Sequence, residues 1–402
     1  MGETLAVFGG KPVRQTLLPY GSQWIDDNDI EAVIMSLKSD WITTGPAIDR
    51  FEKELSDYVG SRYAVAFSNG TAALHAACFA AGITEGDEVI TSPLTFVASS
   101  NCVLYTGAKP IFSDVDPKTY NICPASVNAL ITDRTKAIIP IDFTGQPANY
   151  VELKRIAHEK SLVIIEDAAH ALGAKFNGES VGSFNDMTMF SFHPVKHITT
   201  GEGGAIATNN PVYYEKLKMF RTHGITRDEG KLEQERQPWE YEMQYLGYNY
   251  RLTDIQAALG NRQLKKLDHF VKIRKDYARR YDNAFENMEG VVTPFQAKGS
   301  QSSWHLYVLR LKGRFAKLRK EIFEALKAEN IGVNVHYMPV HTQPYYQRLG
   351  YKAGSCPIAE EIYEQIITLP LFPKMKLSDV DDVINAVRKV LLYYERNPKT
   401  GE

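Results

Sequence analysis

The sequence predicts an α/β fold, a mainly parallel sheet buried between two layers of helices. Three observations carry that expectation. Segments of helical spacing alternate with strand-like ones over most of the first two-thirds of the chain. The strand-like segments are short and apolar throughout, as strands buried on both faces are. The 402 residues, 44% hydrophobic and 23% charged, supply core enough for a layered domain with a smaller companion.

Taken in order, residues 31–38 and 50–59 have helical spacing, and the second stretch stops at Gly60. A short apolar run, 63–67, leads through Ser68-Asn-Gly-Thr71 into an Ala-rich helix over 72–81. Further buried strands are expected at 88–91, 109–112, 136–141, 162–165 and 188–192. Segment 226–243 interrupts the rhythm. Nine of its eighteen residues are charged, which predicts an exposed loop, either functional or a solvated insertion. Residues 254–275 read as one long helix. Beyond them a strand at 305–311, a helix at 316–329 and a strand at 332–336 form a second unit. A last helix over 377–394 begins at Ser378-Asp-Val-Asp, a capping signal. The expected division is an N-terminal segment, 1–19, packing on the small domain; a large domain, 20–265; and a small C-terminal α+β domain, 266–402.

Composition excludes several function classes. Forty-six basic residues face 48 acidic ones, a net charge of -2, so no basic nucleic-acid surface is expected. No apolar run reaches the roughly 18 residues of a membrane helix, so no membrane partner is expected. The opening Met1-Gly-Glu-Thr-Leu5 lacks a basic region followed by an apolar stretch, so no secretory signal is expected. Cys78, Cys102, Cys123 and Cys356 are scattered and form no Cys-x-x-Cys pair. That argues against a zinc ribbon or a disulfide framework and fits a reducing cytoplasm, with no metal site.

Three motifs carry chemistry. Ser68-Asn69-Gly70-Thr71 stands between a strand and a helix, and a helix start offers free N–H groups and positive partial charge to a phosphate. The plainer reading is a tight turn with a cap. Val163-Ile-Ile-Glu-Asp167-Ala-Ala-His170 delivers Asp167 at the carboxyl end of a strand, where open α/β sheets bind ligands. An Asp there can keep a heterocyclic nitrogen protonated, or it caps the following turn. Phe190-Ser-Phe-His-Pro-Val-Lys196 precedes a Gly-rich turn ending at Gly204. An isolated Lys is usually a solvated charge, but Phe190, Phe192, Val195 and Ile198 flank this one. A desolvated Lys can lose its proton and form a Schiff base. Phosphate anchor, pyridinium partner and Schiff-base lysine together describe a site for pyridoxal 5'-phosphate, PLP.

Residues 68–74, 166–170, 191–196, 201–204 and 247–252 resemble the DegT/DnrJ/EryC1/StrS sugar aminotransferases, over nearly the whole chain from Pro19 to Leu392. The run 193–204 is similar to the branch of that family in pseudaminic acid biosynthesis, the UDP-4-amino-4,6-dideoxy-N-acetyl-β-L-altrosamine transaminases. The resemblance implies the aspartate-aminotransferase-like fold type I of PLP-dependent transferases and a homodimer with shared active sites. It makes Lys196 the Schiff-base lysine and Asp167 the pyridinium partner, with Phe96 stacked on the cofactor and His170 beside the ring oxygen. Gly70, Thr71 and Ser191 become the phosphate cradle, Gly70 and Ser191 also facing the substrate. Asn249 or Arg251 would reach the neighbouring subunit's site, Asn249 touching cofactor and substrate there. Tyr20, Asp40, Trp41, Ile42, Thr43, Asn334, Val335, His336 and Tyr337 match segments that line the sugar pocket, although His336 also reads as a packing histidine.

The implied reaction moves an amino group from L-glutamate to a 4-keto-6-deoxy sugar nucleotide, of the UDP-4-keto-6-deoxy-N-acetyl-β-L-altrosamine type. The alternatives are the same chemistry on another keto sugar nucleotide or a keto cyclitol, and, from another class, a non-catalytic PLP-fold scaffold. Relatives that lack the lysine perform dehydration; Lys196 speaks against that here.

Overall fold

The computed structural model describes residues 4–234 and 237–397. Seven strands form the main sheet: β1 (Tyr63–Phe67), β2 (Glu88–Thr91), β3 (Lys109–Phe112), β4 (Thr135–Ile139), β5 (Val163–Asp167), β6 (Met187–Ser191) and β7 (Gly204–Thr208). Their order is β1-β7-β6-β5-β4-β2-β3. Pairing is parallel from β3 across to β6, and β7 runs against both of its neighbours. The apolar runs are explained by burial on both faces. In β1, Val65 and Phe67 enter one core cluster while Ala64 and Ala66 enter another on the opposite face. In β4, Ala137 and Ile139 pack on the first face and Ile138 on the second.

The helices along this sheet are α1 (Asp27–Lys38), α2 (Pro46–Val59), α3 (Gly70–Ala80), α4 (Ala98–Leu104), α5 (Pro124–Leu130), α6 (Tyr150–Lys160), α7 (Pro211–Phe220) and α8 (Asp254–Leu264). Helix α2 starts on Pro46, whose missing N–H costs nothing at a first position, and stops at Gly60, whose φ of 79° suits a residue without Cβ. Helix α3 begins two residues before the expected start, because the Asn69 side chain accepts the N–H of Ala72 and caps it. Strand β7 was not expected; its small residues, Gly204-Ala-Ile-Ala, carry little of the β-branched signal that marked the others.

Residues 254–275 are two helices rather than one. Helix α8 ends at Leu264, and α9 (Leu267–Phe285) begins after Lys266, whose ammonium turns back to Asp26 at 3.0 Å and to Asp29. Segment 226–243 is pinned at its ends by paired two-residue strands, Ile225–Thr226 and Glu242–Met243. Between them Trp239 is 73% exposed.

The C-terminal unit is built on an antiparallel sheet of Val291–Val292, Tyr307–Leu311 and Ile366–Leu369, packed with α9 and the helices Arg319–Ala328 and Leu377–Arg396. Two expectations fail here. Residues 316–329 divide into Arg314–Lys317 and Arg319–Ala328, and 332–336 is not a strand. It meets its neighbours through single bridges, Ile331 with Leu18 and Asn334 with Thr368. The last helix starts at Leu377 as expected, but the cap precedes Ser378: it is Lys376, whose N–H the Asp379 carboxylate accepts. The N-terminal segment lies on this unit. Leu5 and Leu18 enter its core, and the Glu329 carboxylate accepts the N–H groups of Ala6 and Val13 at 2.9 and 2.8 Å. Among the described residues, no helix is long and apolar enough to cross a membrane.

Candidate active site

Strand direction collects the motifs at one edge. The carboxyl ends of β1, β2, β5 and β6 deliver Ser68, the turn before Phe96, Asp167 and Ser191, and the reversed β7 brings Gly204 to the same edge. This is the edge at which open α/β sheets bind ligands. Gly204 pairs with Phe67 on one side and Ser191 on the other. A Cβ there would sit 2.6 Å from the backbone of Asn69 and Gly70, so only glycine lets the start of α3 come this close. Gly70 in turn lies against Ser191: a Cβ on it would be 3.4 Å from the serine Cβ. Gly70, Thr71 and Ser191 therefore surround a helix start whose first N–H groups have no intrahelical acceptor.

Asp167 ends β5 and is 5% exposed. One carboxylate oxygen accepts the Ser99 hydroxyl at 2.6 Å and the other the N–H of Ala169 at 3.1 Å. Burial pushes this carboxyl up, while those two donors and the charge of Lys196 oppose the push. Ser99 lies on α4, and its own N–H donates to the carbonyl of Phe96. Phe96 is 60% exposed.

Lys196 follows β6 in a turn closed by its N–H to the His193 carbonyl. Burial lowers its amine from 10.5 to about 8, with Asp167 opposing the shift and the Arg274 charge adding to it. The residue as a whole is half-buried. Its Nζ lies 3.5 Å from Nε2 of His305. The His305 ring stands 4.4 Å from that of His170 and 5.4 Å from that of His197. Burial drives all three imidazoles well below their usual range, and the neighbouring cations add to that.

His170 extends the site toward the C-terminal unit. Its Nε2 is 3.1 Å from the Tyr337 hydroxyl, while its buried Nδ1 has no partner among the described residues. His336 packs edge-on to Tyr337, meets the Tyr20 ring at 5.4 Å, and holds Thr368 through Nδ1 at 2.9 Å. Asn334 approaches His336 Nε2 at 3.4 Å, and its side-chain oxygen accepts the N–H of the half-buried Val335. Tyr20, Asn334, His336, Tyr337 and His170 thus form one continuous wall.

The other expected residues lie elsewhere. Asp40, Trp41, Ile42 and Thr43 are exposed, and their contacts run to the start of α8. The carbonyl of Ile42 accepts the N–H of Asp254, and Thr43 bridges Thr253. Asn249 is exposed, bridging Thr222, and Arg251 is half-buried. Sequence reasoning also missed residues. Ser99, His197, Arg274 and His305 all surround the lysine or its aspartate. His305 is 109 positions from Lys196, and nothing local in Ser303-Trp-His-Leu marks it.

Beneath the floor, Glu166 points away from Asp167 and faces Asp142. Asp142 accepts the Tyr150 hydroxyl at 2.7 Å and the N–H of Ala148, and Glu166 accepts the Thr188 hydroxyl at 2.6 Å. Asp142 Oδ2 and Glu166 Oε1 have no other hydrogen-bond partner among the described residues. Burial raises both carboxyls, Asp142 far above the usual range.

The donor set suits PLP. Open N–H groups at a helix start fit a phosphate, and a buried carboxylate fits a ring nitrogen. The desolvated amine fits an imine bond, and the orphaned His170 Nδ1 is free to meet a polar group on the ring. Comparison with known proteins agrees. The model of the DegT/DnrJ/EryC1/StrS aminotransferase family matches residues 23–388. The spore coat polysaccharide biosynthesis protein SpsC of Bacillus subtilis is 42% identical over 94% of this chain and 98% of its own. Among solved structures, Helicobacter pylori PseC, an aminotransferase involved in the biosynthesis of pseudoaminic acid, superposes with a TM-score of 0.88 at 32% identity, covering 94% of this chain and all of PseC. Streptococcus pneumoniae Spr1654, solved in PLP- and PMP-forms, matches with the same score and identity over 94% of this chain and 99% of its own. The chain belongs to the DegT/DnrJ/EryC1/StrS aminotransferase family, as a PLP-dependent sugar aminotransferase of fold type I.

Proposed function

We propose that the enzyme transfers the amino group of L-glutamate to a 4-keto-6-deoxy sugar nucleotide, of the UDP-4-keto-6-deoxy-N-acetyl-β-L-altrosamine type used in pseudaminic acid biosynthesis. The observation that carries the catalytic part is Lys196, a desolvated amine near the buried carboxylate of Asp167 at the carboxyl edge of the sheet. The acceptor assignment is supported by the likeness to PseC. PLP, when bound, supplies an electron sink for negative charge at the carbon bearing the amine. Asp167 holds a proton at the ring nitrogen by its charge. Gly70, Thr71 and Ser191 hold the phosphate, Phe96 covers one ring face, and His170 stands at the ring oxygen. The Lys196 amine, neutral above about 8, takes the proton from Cα of the amino donor and returns one to the keto-sugar carbon. Tyr20, Asn334, Val335, His336 and Tyr337 line the sugar side.

In this reading the functional unit is a homodimer with shared sites. Exposed apolar side chains support it: Trp41 at 55%, Ile42, Phe96 and Leu246 all lie on or beside the exposed candidate residues. Asn249 or Arg251 then reaches the partner's phosphate, and Asp40, Trp41, Ile42 and Thr43 line the sugar pocket. The division into 1–19, 20–265 and 266–402 belongs to the same reading, supported by the helix break at Lys265 and Lys266 and by the packing of Leu5 and Leu18 on the C-terminal core. The test is incubation with glutamate and a panel of keto-sugar nucleotides and a keto cyclitol. Mass and NMR analysis of the products should find the amine at C4 of the UDP-altrosamine acceptor. Amination of a different member alone would reassign the acceptor.

A further inference from the structure

The buried cation Arg274 has no role in the chemistry above, yet its position is costly. It is 1% exposed on α9, and burial pulls its guanidinium down to about 9. Its Nη1 donates to three backbone carbonyls, those of Leu371, His305 and Trp304, at 2.7, 3.1 and 3.4 Å. Two of those carbonyls flank one strained point. Trp304 has a φ of 54°, a left-handed conformation that a bulky residue adopts only when its surroundings impose it. Its N–H is taken by the Ser302 hydroxyl, and the neighbouring Ser303 hydroxyl donates to the carbonyl of His170. The backbone around His305 is thus held from three sides, and the result is to aim its Nε2 at Nζ of Lys196.

We propose that His305, fixed by Arg274 through the backbone, is a positioning residue that holds the free amine of Lys196 over the floor of the site. The proposal rests on the reading of Lys196 as the Schiff-base lysine. A lysine that must leave and regain a bond needs a partner while it is free. Asp167, already engaged by Ser99 and Ala169, attracts the amine only as an ammonium. A neutral imidazole holds either form, accepting from the ammonium or donating to the amine. Burial keeps His305 neutral, and the groups around it, Lys196, His170, His197 and Arg274, add to that as cations or potential cations. The separation of 3.5 Å is long for a hydrogen bond, as such contacts often are before substrate arrives.

Three variants test this on the full-length holoenzyme. His305→Gln keeps an amide near the Nε2 position, His305→Asn falls short of the lysine, and His305→Phe fills the space without a polar atom. Borohydride reduction of wild type followed by peptide mass analysis first asks whether PLP is attached to Lys196. No adduct there would overturn the parent reading and this proposal with it. With the adduct found, the expected result in both Asn and Phe variants is a single-turnover reaction with glutamate slowed about tenfold to a hundredfold, as for a reacting group displaced by an ångström. The pH midpoint of the bound cofactor's visible band should move in the same variants, and His305→Gln should restore both readouts to within about threefold of wild type. If His305→Asn folds, carries the Lys196 adduct and keeps the wild-type rate and midpoint, His305 is a packing residue and the proposal falls.

Discussion

The floor and the rim of this site are built differently. Asp167, His170 and His305 on the floor are buried and tied to one another, to Ser99 or to the lysine by side-chain contacts. Trp41, Ile42, Thr43, Phe96 and Asn249, which our proposal gives to the rim, are exposed, and Ile42, Thr43 and Asn249 spend backbone contacts on the start of α8 or on Thr222. The floor is held by contacts within one chain, whereas these rim side chains are left exposed. In the homodimer we propose, one chain supplies the chemistry and its partner supplies grip on the substrate.

The sharpest way to break the floor is Lys196→Ala. It should abolish turnover, a loss of at least about 10²–10⁴-fold, because general base catalysis alone is worth that much. The fold should survive, checked by circular dichroism. A steady-state rate within about tenfold of wild type would remove Lys196 from the mechanism. Asp167→Asn should come next, costing roughly tenfold or more in rate and weakening PLP binding, because an amide cannot hold the ring proton by charge. Near-normal rate and cofactor affinity would leave Asp167 as a turn cap only.

A third measurement sharpens the picture of the floor without a mutation. The Lys196 amine is pulled down to about 8, so its basic form is the minor one at neutral pH and the major one above 8. The rate at which the apo-protein takes up PLP should therefore rise with pH and level off above about 8, read by visible absorbance. A rise continuing to the ordinary lysine range would mean that the amine is not desolvated.

The rim is tested by subunit mixing. Lys196→Ala and Asn249→Ala homodimers should each be weak, while co-refolded heterodimers contain one site with both wild-type residues and should regain up to about a quarter to a half of wild-type activity on mass action. Heterodimers that form yet recover nothing above their parents would place Asn249 in its own subunit's site or in none.

How much of this was legible in the chain follows the same division. The strands at 63–67, 88–91 and 109–112 were read to the residue, because burial on both faces leaves uninterrupted apolar runs. Asp167 and Lys196 stood out because each follows such a run within a few residues. Strand β7 escaped, since Gly and Ala fill its tight place between β1 and β6 and leave no periodic signal. The break at Lys266 escaped too, being set by carboxylates on α1 more than 230 positions away. His305 and Arg274 became visible only when folding closed a gap of 109 residues between lysine and histidine.

The carboxyl pair under the floor has a calorimetric consequence. Asp142 and Glu166 are both raised by burial, so between the ordinary carboxyl range and their folded values the native protein carries protons that the unfolded chain has lost. The stability they contribute is therefore greatest in acid and declines as pH rises through the folded values. Just above the ordinary carboxyl range the molecule behaves as a small reservoir of acidity, emptied when the sheet comes apart. Unfolding should release about one proton more than it does in a Glu166→Gln variant, and the measured heat should then vary with the ionisation enthalpy of the buffer. An unfolding heat that is equally buffer-dependent in both proteins would show that Glu166 is not needed to hold that proton.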